Sequence, residues 1–205
     1  MKQSIVDTVL YIALLVLFVL FCFGGAVLLG FAVGGCCPAI DPEEPIHFDE
    51  TFTDVELTQL LSATAEWSVA MDRDMPPLFY DEPHGWQPSH WLDERSVVHR
   101  MTEGEAATLR DVATITDERV FSENFVGLAS PGGSVIIAIE RLSIDNLAAV
   151  MRHELGHRYG CLGHSPAPSL MVGTLSKDLR CIDFDTIEQV CDVNDCGPNW
   201  GPTCQ

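Results

Sequence analysis

Residues 146–164 read NLAAVMRHELGHRYGCLGH, and this stretch decides both the fold and the chemistry predicted for the chain. In a helix, His153 and His157 project from one face about 6 Å apart along the axis, since they are four residues apart. Two neutral imidazoles placed in this way suit one Zn²⁺ ion. Glu154 lies beside them, and we expect it to take a proton from a water activated by the metal and to pass it to a leaving amine.

The helix that carries these residues is predicted to begin at a cap formed by Ser143 or Asp145 and to end near Gly160. Three apolar residues of this helix recur at the spacing of a core-facing stripe: Leu147, Val150 and Met151. Gly160 tolerates the left-handed conformation that turns a chain back sharply after a helix. The turn is expected to present His164 as the third nitrogen ligand.

Two other residues are alternatives to His164 as the third ligand. Cys161 offers a thiolate, although a disulfide is the more ordinary state for it in an exported domain. Glu188 offers a carboxylate, but its spacing from Asp185 fits a capping box at the start of a helix better.

The stretch from His153 to His164 resembles the extended zinc motif of the metzincin metalloproteases, and Ser169-Leu170-Met171 resembles their Met-turn. The resemblance is closest to matrixin-like bacterial members. It differs in one position, because the family has its third histidine where this chain has Gly163. The resemblance implies an α+β, zincin-like catalytic domain with a small twisted mixed sheet, a long N-terminal helix, an active-site helix and a C-terminal helix.

This resemblance also implies a zinc-dependent endopeptidase that acts on a protein or peptide substrate, with Glu154 as the general base. It implies three metal ligands: His153, His157 and His164. Met171 would lie beneath the metal as a hydrophobic base, and Gly173 replaces the tyrosine ligand that some metzincins add. Ser134–Ile139 would be the edge strand along which substrate binds, and Ile182–Cys191 the C-terminal helix.

Periodicity predicts further elements of the domain. Apolar residues recur at helical spacing from Asp54 to Met71, with Asp54 placed as the N-cap. Short extended segments bounded by Pro, Gly and Asp are predicted at 78–80 and 96–101. A stronger strand is predicted at 133–139, where a β-branched run follows a Pro-Gly-Gly turn.

The N-terminal part of the chain contains an apolar run without charge from Val9 to Val33. As a helix it would be roughly 37 Å long, enough to cross a hydrocarbon layer about 30 Å thick. We therefore predict a transmembrane or signal-anchor segment at 1–35, a Pro-rich acidic tether at 36–50 and a protease domain at 51–205. Lys2 before the run and acidic residues after it place the domain on the extracytoplasmic face. An alternative anchor is a lipid on Cys36, because Val33–Cys36 resembles a lipobox.

Cysteine content and charge restrict the remaining possibilities. Four of the eight cysteines crowd into the last 25 residues, which predicts a disulfide-stapled end: Cys181, Cys191, Cys196 and Cys204. The net charge of −19 makes nucleic acid an unfavourable partner. Two rivals to the protease remain, namely a surface-anchored zinc-containing binding module without turnover and a structural domain without metal. The sequence leaves the oligomeric state open.

Overall fold

The structure is a computed structural model, and it describes residues 40–85, 96–113, 125–130, 133–160, 163–165, 169–172 and 180–204. The described part is a mixed α+β fold with five strands and four α-helices. The strands are β1 (Ile46–Asp49), β2 (Leu78–Glu82), β3 (Val97–Met101), β4 (Gly127–Ala129) and β5 (Val135–Ala138). The helices are α1 (Asp54–Met71), α2 (Glu103–Ala113), α3 (Ile144–Gly160) and α4 (Phe184–Val193), and a short 3₁₀ turn at Ile139–Arg141 precedes α3.

The five strands form one sheet in the order β2-β1-β3-β5-β4. Strands β2, β1, β3 and β5 run parallel to one another, and β4 pairs antiparallel with β5, with Leu128 opposite Ile136. All four residues of β5 are buried, as a strand with neighbours on both sides requires. The predicted strands at 78–80, 96–101 and 133–139 are confirmed within a few residues, and so is the small mixed sheet.

The expected edge strand is wrong. Val135–Ala138 lies in the interior of the sheet between β3 and β4, and among the described strands the edge on this side is β4. Gly127–Ala129 is half-buried, only three residues long and without a β-branched residue. It therefore lacks the length and the composition by which a strand is predicted from sequence. The strand at this edge, which contacts α3, is therefore one that the sequence pattern did not predict.

Helix α1 has the bounds predicted from its apolar periodicity, but its cap lies one residue earlier. Thr53 is the N-cap, its side chain accepts from the Glu56 amide, and the Glu56 carboxylate accepts from the Thr53 amide. The helix ends at Asp72, which has a left-handed conformation with φ of 52°. Its buried face includes Trp67, and Thr64 is tolerated there because its hydroxyl donates to the Leu60 carbonyl.

Helix α3 packs between α1 and the sheet. Leu147, Val150 and Met151 are buried, as the predicted stripe requires. Trp67 of α1 donates its indole N–H to the Arg152 carbonyl at 3.0 Å, and its ring meets Tyr159 edge-on at a centroid distance of 5.6 Å. These contacts fix the second half of α3 against α1.

Two helices differ from expectation. Helix α2 was not predicted, although Thr102 and Glu105 form a capping box at its start. Helix α4 begins after the N-cap Asp183, whose carboxylate accepts from the Thr186 amide, so the capping box expected from Asp185 and Glu188 is wrong.

The predicted tether contains the first strand of the sheet. Ile46 and Phe48 of β1 are fully buried between β2 and β3, so the folded region begins before Thr51. Among the helices of the described part, none has the length and hydropathy to cross a membrane. The Val9–Val33 run and Cys36 lie outside the described residues, and the anchor and lipid attachment stay predictions.

Two disulfides close the C-terminal end, as its crowded cysteines predicted. Cys181 is bonded to Cys204, and Cys191 to Cys196. The tail between them also binds α1, because the amides of Gly197 and Gly201 donate to the carbonyls of Met71 and Ala70.

An ion cluster of Asp49, His84 and Glu105 joins the end of β1, the loop after β2 and the start of α2. His84 Nδ1 lies 2.9 Å from Asp49 Oδ2, and Nε2 lies 3.0 Å from Glu105 Oε1. The hydrogen bond with Asp49 raises the pKa of His84, and its burial opposes this only in part. Burial opposes ionisation of both carboxyls, but threonine hydrogen bonds and His84 outweigh it and lower their pKa values.

We expect this cluster to stabilise the fold most between pH 4.5 and 6.5, the ordinary pKa values of the glutamate and the histidine. Since the folded pKa of His84 is raised, its contribution is full below 6.5 and is lost as pH rises through the raised value. The carboxylate contribution is lost as pH falls through their lowered values. In His84→Gln, thermal denaturation of metal-free protein should show a smaller fall in Tm from pH 6 to pH 9. A fall equal to that of the parent would contradict this role.

Candidate metal centre

Three histidine side chains converge at the C-terminal half of α3. His153 Nε2 lies 3.0 Å from His157 Nε2 and 3.3 Å from His164 Nε2, and one ring nitrogen from each lies within 4.8 Å of the others. A tetrahedral ion with Zn–N bonds of about 2.0–2.1 Å would hold its nitrogens about 3.4 Å apart. The three histidines therefore form a cluster that could bind a metal ion, and the assignment of that ion as zinc stays a prediction.

A backbone carbonyl determines which nitrogen of His153 faces the cluster. His153 Nδ1 donates to the Leu170 carbonyl at 2.7 Å, so Nε2 carries the lone pair. Burial lowers the pKa of His153 and outweighs the hydrogen bond to Leu170, which raises it, and the nearby His164 adds to the lowering, so the neutral ring that binds metals is favoured. A histidine oriented by a carbonyl in this way is common among protein ligands of zinc.

The carbonyl belongs to the predicted Met-turn. The Leu170 amide donates to Asp183 Oδ2 at 2.6 Å, and the Met171 amide donates to Ser169 Oγ at 3.2 Å. Met171 is buried, and its sulfur lies against the backbone of α3 at Gly156. The segment thus supplies the carbonyl that orients His153 and packs a buried methionine against α3, and its identity as a Met-turn stays a prediction.

A side chain at Gly156 would overlap Met171. A Cβ built on Gly156 meets the Met171 sulfur and reaches Trp67 at 3.5 Å, whereas a Cβ on Gly104 in α2 has nothing within 4 Å. We expect Gly156→Ala to lower the free energy of unfolding by about 1–3 kcal/mol through overpacking, despite the better helix propensity of alanine. Gly104→Ala, the matched control, should raise it by about 0.4–1 kcal/mol. Urea unfolding of both variants measures these changes. Equal changes in the free energy of unfolding would show that the Met171 side chain moves aside without cost and would contradict the prediction.

His164 reaches the cluster despite the extra residue before it. It is exposed, whereas His153 and His157 are partly buried, so the cluster opens to solvent on the His164 side. Among the described residues, no carboxylate belongs to the cluster. Glu188 lies exposed on α4 outside it, and Cys161 and Gly173 lie outside the described part.

Glu154 is fully enclosed next to the histidines. It is 4% exposed, and burial raises the pKa of its carboxyl to about 8. A Cβ on Gly127 would lie 2.5 Å from Glu154 Oε1, so the edge strand β4 approaches the carboxylate at a residue without a side chain. This places the carboxylate of the candidate base against β4.

Sequence reasoning missed the residues that support the ligands. Asp183 holds the Leu170 amide, and Glu66 of α1 accepts from Arg152 Nε at 2.6 Å immediately before His153. Both contacts join residues distant in sequence, so no local spacing could reveal them. Gly127 was missed for the same reason.

Comparison of the chain with models of protein families and with curated proteins found no match.

Proposed function

We propose that this chain is a zinc-dependent endopeptidase of the metzincin type, attached to the outer face of a membrane through its N-terminal segment. The observation that carries the proposal is the convergence of three histidine nitrogens beside a buried glutamate. A metal bound by three histidines supplies an activated water and polarises a peptide carbonyl. The arrangement fits metal-assisted hydrolysis better than it fits metal storage, because storage needs no buried carboxylate.

Glu154 would act as the proton carrier. Burial raises the pKa of the Glu154 carboxyl to about 8, and a nearby cation would lower this value so that the group is ionised near neutral pH and can accept a proton from water. After the carbonyl carbon is attacked, the same group would hand its proton to the departing amine. The absence of a competing hydrogen bond to Glu154 within the described part leaves both oxygens available for this work.

The edge strand β4 would hold the substrate. Its antiparallel pairing with β5 occupies one side of the strand, and it lies at the edge of the sheet. An extended peptide added to that edge would pair through main-chain hydrogen bonds and pass beside Glu154 at Gly127. The substrate strand is therefore assigned to Gly127–Ala129 in place of Ser134–Ile139.

The test is cleavage of an unfolded protein by the full-length chain in detergent. Cleavage that a chelator abolishes and added zinc restores is the expected result. Zinc in the protein without cleavage would favour the binding module, and protein that retains no zinc would favour a structural domain.

A further inference from the structure

The Cys181–Cys204 disulfide closes a small hydrogen-bonded ladder at the C-terminal end. Ile182 and Thr203, the residues inside the bridge, are joined twice. The Ile182 amide donates to Thr203 Oγ1 at 2.8 Å, and the Thr203 amide donates to the Ile182 carbonyl at 2.9 Å. The disulfide therefore fixes the position of two short segments together.

One route leads from this ladder to a metal ligand through Asp183. Asp183 follows Ile182, and its carboxylate binds both the start of α4 at Thr186 and the Leu170 amide. The Leu170 carbonyl in turn accepts from His153 Nδ1 at 2.7 Å. Displacement of Asp183 would thus move the acceptor that orients His153.

A second route leads through Glu66. Thr203 Oγ1 donates to Glu66 Oε1 at 2.5 Å, and Arg152 Nε donates to Glu66 Oε2 at 2.6 Å. Arg152 immediately precedes His153 on α3 and is 9% exposed. The first route from the disulfide therefore ends at His153, and the second ends at Arg152, the residue before it.

The second disulfide offers a comparison within the same tail. Cys191 and Cys196 close a loop of α4 and the turn after it, and Asn194 inside that loop donates to the Tyr159 carbonyl at 2.7 Å. Tyr159 lies beyond His157, near the end of α3. This bridge thus touches the active-site helix without a described hydrogen bond to a ligand or its orienting carbonyl.

We propose that the Cys181–Cys204 bridge is a redox-sensitive support of the metal cluster, which sets metal affinity through the orientation of His153. The proposal rests on the metal-binding part of the proposed function and does not depend on hydrolysis. An external dithiol would break the S–S bond and become a disulfide itself, and its two electrons and two protons would leave Cys181 and Cys204 as thiols. Cys204 is exposed, so such a reductant can reach the bridge.

The experiment compares zinc affinity in the full-length parent, Cys181→Ser/Cys204→Ser and the control Cys191→Ser/Cys196→Ser, by competition with a chromophoric chelator. Serine variants avoid new thiols that would bind zinc themselves. We expect about 10- to 100-fold weaker binding in the first pair, the range for loss of groups that orient a ligand, and less than about threefold in the control.

If Cys181→Ser/Cys204→Ser does not fold, Thr203→Val replaces it. This variant keeps the disulfide but removes the hydrogen bonds of the Thr203 hydroxyl with Ile182 and Glu66, through which the bridge would act. It too should bind zinc more weakly than the control. Unchanged affinity, or an equal loss in the test and control variants, would overturn the proposal. If the test variant binds zinc more weakly than a parent that cleaves nothing, this inference is upheld while the proposed protease function fails. A parent that binds no zinc would end both.

Discussion

Glu154→Gln should retain one zinc per chain and lose about 100- to 10,000-fold in the rate of peptide hydrolysis, the usual contribution of a positioned general base. The amide has the shape of the carboxylate but cannot accept and return a proton. Its metal site should be intact, because Glu154 is not among the converging ligand groups. Zinc content by mass spectrometry and cleavage of an unfolded protein measure the two properties separately.

Asp145→Asn is the matched control, because it makes the same change at an exposed residue in the first turn of α3. It should cleave at the parental rate. A Glu154→Gln protein as active as the parent would remove Glu154 from the mechanism, and loss of zinc from it would show that the carboxylate supports the metal instead.

His164→Ala should lose most of its zinc, because two histidines on one helix turn leave the ion with too few protein ligands. His164 Nε2 lies 3.3 Å from His153 Nε2, and the described cluster has no other member to replace it. The measurement is zinc per chain after dialysis against a weak chelator, with the parent treated in parallel.

Glu188→Ala controls for the alternative carboxylate ligand. Glu188 is exposed on α4, and we expect Glu188→Ala to retain as much zinc per chain as the parent. The opposite pattern, with zinc kept in His164→Ala and lost in Glu188→Ala, would contradict the three-histidine site and move the third ligand to α4.

Local patterns were sufficient for the elements that bury a regular face. The apolar spacing from Asp54 to Met71 gave the bounds of α1, and the β-branched residues after Gly133 gave β5. The capping boxes that begin at Thr53 and Thr102 have the sequence spacing typical of this motif, so the N-cap of α1 and the start of α2 could both have been predicted. The strand order could not be predicted, because it depends on how the segments that connect the strands pack in the folded domain. β4 could not be predicted because three residues are too few to show a periodic pattern.

The cluster of three histidines was predictable from the sequence, but the hydrogen bonds that support it were not. The spacing of His153 and His157 follows from helix geometry alone. The sequence could not show whether the extra residue before His164 would keep it out of the cluster, and in the structure His164 is a member of it. Asp183 and Glu66 could not be found in advance, because each acts across more than a dozen residues of chain through a tertiary hydrogen bond.

The docking of the tail on α1 has a consequence for how the chain folds. Gly197 and Gly201 bind the carbonyls of Met71 and Ala70, and β1 must wait for β3 before it is paired on both sides. Contacts between such distant positions raise the contact order and slow folding. Residues 197–201 thus complete the surface of α1, so α1 can reach its native surroundings only after the chain through Gly201 has been synthesised.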